Sequence, residues 1–91
     1  MTTHELRVLK TDPVHLSNSL RALWCDAHGA WEEAHKLIQD DSSKEGSWVH
    51  AYLHRKEGEE DNARYWYHRA GEPPFDGPFD EEWRSIADRL I

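Results

Sequence analysis

A chain of 91 residues and 10.7 kDa has room for one domain and one core, which excludes two-lobed enzymes whose active site lies between the lobes. With 18 acidic against 11 basic side chains, its net charge of −7 opposes nonspecific attraction to nucleic acid or anionic lipid, so neither is an expected partner. Five Trp, three Tyr and two Phe are enough to build a core despite a mean hydropathy of −0.94, while the lone Cys25 has no partner for an internal disulfide. No apolar run is long enough for a membrane span or a signal-peptide core, and the expectation is a reduced, cytoplasmic protein.

Along the chain, residues 1–11 read as a short N-terminal arm. Asp12-Pro13 reads as a helix start, a capping carboxylate before a proline that needs no N–H in the first turn. Leu16, Leu20, Leu23, Trp24 and Ala27 then form one stripe of a helix that ends at Gly29. Trp31, Ala34, Leu37 and Ile38 mark a second helix to about Gln39, with Glu32 and Glu33 at its positive end. A polar loop follows, in which Ser42 and Glu45 have the spacing of a capping box. Trp48, Val49, Tyr52 and Leu53 carry a third helix to Gly58. Ala63, Trp66, Tyr67 and Ala70 carry a fourth, which Gly71 and Pro73-Pro74 terminate. Phe79, Trp83, Ile86, Ala87 and Leu90 define the last helix, with Asp80, Glu81 and Glu82 in its first turn. The expected fold is all-α with five helices: hairpin one over 13–39, hairpin two over 45–70, and a capping helix over 79–91.

The two hairpins repeat. Gly29 to Gly58 and Ala34 to Ala63 are both spacings of 29 residues, and the same offset places Leu20 on Val49, Leu23 on Tyr52 and Ile38 on Tyr67. Each unit is a helix, a glycine turn and a second helix carrying a small Ala at the crossing, and neither buries its stripe alone. Gly58, Ala63, Tyr67, Ala70 and the Pro73-Pro74 pair resemble the second half of a tetratricopeptide repeat, and Gly29, Trp31, Ala34 and Ile38 repeat the pattern more faintly. The period is shorter than that family's ~34 residues, and its Trp-x-x-Leu-Gly signature precedes neither glycine. Residues 48–58 with 62–67 also resemble a group of small bacterial proteins to which no activity is attached. The tetratricopeptide resemblance implies a binding or assembly module that takes a protein, peptide or small ligand on a concave face lined by the first helix of each hairpin. On this chain that face would present Arg21, His50, His54 and Glu57, with a second copy of the chain as a further candidate partner.

The side chains that could carry chemistry are few. His50, His54 and Glu57 fall within about 60° of one another on helix three, away from its apolar stripe, and are expected to form an exposed recognition row. The same three side chains could instead ligate a divalent metal in a metal-dependent or acid–base hydrolase. His35 lies inside the stripe of helix two and is expected to be structural; its Glu32-x-x-His35 element occurs once, so a di-iron bundle is rejected. Cys25 is expected on the far side of helix one from its stripe, as an inert thiol; Arg21 and His28 match a small-ribonuclease spacing that the acidic charge opposes. Tyr65 points off the stripe of helix four and is the aromatic expected to be exposed and to bind. Without a glycine-rich phosphate loop, a Gly-x-Ser-x-Gly or a Cys-x-x-Cys, no cofactor is expected, and a binding module is favoured over an enzyme.

Overall fold

The computed structural model describes residues 1–91 and is all-helical: α1 (Thr3–Val8), α2 (Asn18–Ala27), α3 (Trp31–Ile38), α4 (Lys44–Lys56), α5 (Glu60–Ala70) and α6 (Phe79–Leu90). The extra helix is the expected arm. Thr2 and Glu5 form a reciprocal capping box around its first turn, and Leu6 is fully buried, so local hydrogen bonds and one core anchor hold a segment whose apolar pattern is too short to read. The Asp12-Pro13 start is also corrected. Residues 14–16 form a turn, and α2 begins at Asn18 with the Ser17 hydroxyl accepting from the Leu20 amide, while Asp12 is drawn instead to the Arg21 guanidinium. In the 40–47 loop the cap is Ser43, accepting from the Gly46 amide, and not Ser42.

The 29-residue offset survives at atomic detail. Gly29 and Gly58 both take left-handed backbone, with φ of 77° and 76°, where a side chain would be strained. Gly29 N–H donates to Asp26 O and Ala30 N–H to Cys25 O; 29 residues on, Gly58 N–H donates to Arg55 O and Glu59 N–H to His54 O. Each turn thereby satisfies the last carbonyls of one helix while it opens the next.

Helix α4 is the axis of the molecule. It packs most extensively on α5 and also touches α2, α3 and α6, and every residue from Gly46 to His54 is buried. A helix enclosed on all sides has no free face. That overturns the exposed row expected on it: His50 and His54 retain only 4% and 8% of their accessible surface. Cys25 is corrected for a related reason, since α2 buries Ser19, Leu20, Ala22, Leu23, Cys25 and Asp26, more than one stripe, and Cys25 belongs to the core. Helix α6 packs on α4, α2 and α1. Trp83 is buried and donates its indole N–H to the Leu23 carbonyl, and Glu82, whose place in the first turn suggested a solvated charge, is wholly buried. No helix is long and apolar enough to cross a membrane.

Candidate functional site

Two groups of side chains stand out. The first is a cluster of three histidines where α3 meets α4. The 3.6-residue period stacks His50 and His54, four apart, on one side of α4, with ring centroids 4.8 Å apart and 21° between planes. His35 from the second turn of α3 meets them edge-on, its Nε2 3.1 Å from His50 Nε2, so that one of these two nitrogens carries the proton and the other accepts it. One nitrogen from each ring lies within 4.8 Å of the others. Trp31 stacks on His35 at 5.1 Å and Trp66 on His50 at 3.9 Å, closing the cluster between two indoles.

The cluster is unevenly satisfied. Glu59, the residue before α5, accepts from His54 Nδ1–H at 3.0 Å and orients that ring. His50 Nδ1 is buried with no partner. Burial, reinforced by His54 and His35, holds His50 down to about 3, and burial with His54 also lowers His35 against the opposing pull of Glu59. Both rings are therefore unprotonated near neutral pH.

The expected site residues do not converge as a set. Glu57 is exposed at the C-cap of α4 and contributes nothing to the cluster, whose third member is His35 and whose carboxylate is Glu59. Arg21 is held by both oxygens of Asp12, and Tyr65, 53% exposed as expected, accepts from Arg69 on its own helix. A signal for His35 existed in the sequence, because a polar ring inside an apolar stripe must find polar company; its company on α4 is visible only once α3 and α4 are packed.

The second group lines a cleft of about 420 Å³ between the α4–α5 turn, α5 and the 72–78 loop. Tyr67, Phe75 and Phe79 supply its aromatic walls. Arg55 lies 4.4 Å from the centre of the Phe79 ring and 5.4 Å from that of Phe75, donates Nε–H to Glu82 and Nη1–H to the Gly77 carbonyl, and keeps Nη2 without a partner. Glu82 also accepts from the Tyr67 hydroxyl at 2.5 Å; burial outweighs these bonds and raises its carboxyl above the ordinary range, while the same burial and the adjacent carboxylate raise the Tyr67 phenol. Comparison with protein-family models, curated proteins and solved structures returns no match for this chain.

Proposed function

We propose that the protein is a small helical-repeat binding module and that its ligand, a peptide side chain or a small molecule, enters the cleft beside Arg55. One observation carries this reading: Phe75 and Phe79 lie against the Arg55 guanidinium and, with Tyr67, line a concavity of the size that small ligands fill. Carboxylates outnumber cations around it. Arg55 is paired with Glu82 and Arg64 with Asp61, while Glu60 and Asp76 also line the cleft. The excess negative charge disfavours an anionic ligand, so selection rests on shape and apolar contact, and the ligand that fits is an uncharged apolar or aromatic group.

The test is a two-dimensional NMR titration with blocked phenylalanine and tyrosine amides and with small neutral aromatic amides. Amide shifts confined to Gly58, Ala63, Arg64 and Asp76, and abolished in Phe79→Ser, are the expected result. Phe79 is 43% exposed, so this variant keeps the core intact. Shifts elsewhere, or none at millimolar probe, would reject the cleft. A metal-dependent hydrolase built on His50, His54 and Glu57 gains no support from the geometry, because Glu57 is exposed and does not belong to the cluster that the two rings form.

A further inference from the structure

We propose that His35, His50 and His54 form a binding site for one divalent transition-metal ion, coordinated by three imidazoles and leaving a fourth position to water or an exogenous anion. The proposal goes beyond the cleft and does not depend on it.

The geometry lies close to what such an ion requires. Tetrahedral coordination with metal–nitrogen bonds of about 2.0–2.1 Å sets the ligand nitrogens roughly 3.3 Å apart. His35 Nε2 and His50 Nε2 are already at 3.1 Å, and the widest separation in the trio is at most 4.8 Å, a gap that small side-chain rotations close. The arrangement around His54 is of the type that supports a metal ligand: Nδ1–H is donated to the Glu59 carboxylate, which orients the ring and increases the basicity of the nitrogen left free.

As a purely structural network the same cluster is poor. Three buried or half-buried imidazoles share one mutual hydrogen bond. A core position that needed only packing would be filled more favourably by leucine or phenylalanine. The half-buried His35 gives the ion its route in from solvent.

The donor set also names the class of ion. Three imidazoles without thiolate favour zinc, copper, nickel or cobalt over magnesium or calcium, which prefer oxygen; Cys25, the one thiol, lies on α2 and outside the trio. Because His35 comes from α3 and the other two ligands from α4, a bound ion would cross-link the two glycine-turn units at their seam.

The experiment is a titration of untagged, full-length protein with Zn²⁺ by calorimetry and with Co²⁺ by absorption. One equivalent bound, with the intense visible bands of tetrahedral Co²⁺ and quenching of Trp fluorescence by Cu²⁺, is expected. Glu59→Gln should weaken binding by about 10- to 100-fold, the usual effect of losing an outer-shell partner. His35→Ala should weaken it further, and His15→Ala and His68→Ala, at exposed positions, should leave it unchanged. If His35→Ala does not fold, paramagnetic broadening by Ni²⁺ in the wild-type protein still decides: it must centre on the ring signals of His35, His50 and His54. Broadening at exposed histidines, octahedral Co²⁺ spectra, or affinity that Glu59→Gln leaves intact would overturn the proposal and identify the trio as packing.

Discussion

The interior of this small domain treats its buried carboxylates and its buried imidazoles in opposite ways. Asp26 of α2 accepts from the Tyr52 hydroxyl at 2.6 Å and from Lys56 Nζ at 2.8 Å; Glu82 of α6 accepts from the Tyr67 hydroxyl at 2.5 Å and from Arg55 Nε at 2.9 Å. In each lock one phenol and one cation meet one carboxylate, and α4 contributes the cation to both. Every carboxylate oxygen in them has a donor. The histidine trio has no such closure: a single shared proton joins two rings, and a nitrogen is left over. The carboxylates that hold helices together have both oxygens paired, since an unpaired polar group costs about 1–3 kcal/mol, although Arg55 of the Glu82 lock keeps one nitrogen without a partner. A cluster that tolerates that cost is better placed to receive something from outside.

The sharpest way to break this contrast is to open a lock. Glu82→Ala leaves the buried Arg55 charge and the Tyr67 hydroxyl without their acceptor, and a loss of about 3–5 kcal/mol in urea unfolding is expected. A variant within experimental error of wild type would show that the lock is ornamental to the fold. Tyr52→Phe removes one bond to Asp26 while Lys56 remains, and about 1.5–3 kcal/mol is expected from the same measurement. Ala63→Leu perturbs packing without touching any lock. Ala63 is 3% exposed on α5, and overpacking there should cost about 1–3 kcal/mol, read as a lowered melting temperature.

The smallest stability effect is expected in the trio itself. His50→Leu replaces an under-satisfied ring by an apolar side chain, and in the presence of a chelator the change should stay within about 1 kcal/mol at pH 7. Its signature is in the pH dependence. His50 takes a proton at about 3 in the folded protein and near 6.5 when unfolded, so its contribution is complete above ~6.5 and is lost as pH falls towards 3, because the unfolded chain then binds the proton that the folded one refuses. Glu82 works in the other direction, its raised carboxyl stabilising the fold below ~4.5 and ceasing to do so as pH rises through its folded value. The melting temperature of metal-free wild type should therefore fall more steeply than that of His50→Leu between pH 6.5 and 4. Parallel curves would mean that His50 titrates normally and is not enclosed.

What could be read from the chain and what could not divides along the same line. Helix-forming stripes, the glycine turns at 29 and 58 and the all-helical class follow from local periodicity and backbone sterics, and these were legible. The short α1 was not, because a capping box and one buried leucine carry it. The exposure of His50 and His54 was misjudged for a tertiary reason: a helical wheel tells which side chains share a side, but not how many neighbours surround the helix, and α4 is surrounded by four. Glu82 looked like a charge favouring a helix start; only the arrival of Arg55 and Tyr67 from other helices makes its burial tolerable. His35 was legible as an imidazole on an apolar stripe, although it is half-buried and its partners were not readable.

The neglected first helix has a consequence in time. His28 of the α2 C-cap pairs with the Arg7 carbonyl, while Arg7 reaches Asp80 at 2.8 Å and lies 4.2 Å above the Trp83 ring, so α1 is seated partly on residues more than seventy positions later in the chain. During synthesis that part of its platform emerges after helices α1 to α5. Docking of α1 is thus a closing event that locally folded pairs must await, and the slow step of folding should be sensitive to substitutions at Leu6 and Trp83 more than to any in the α4–α5 pair.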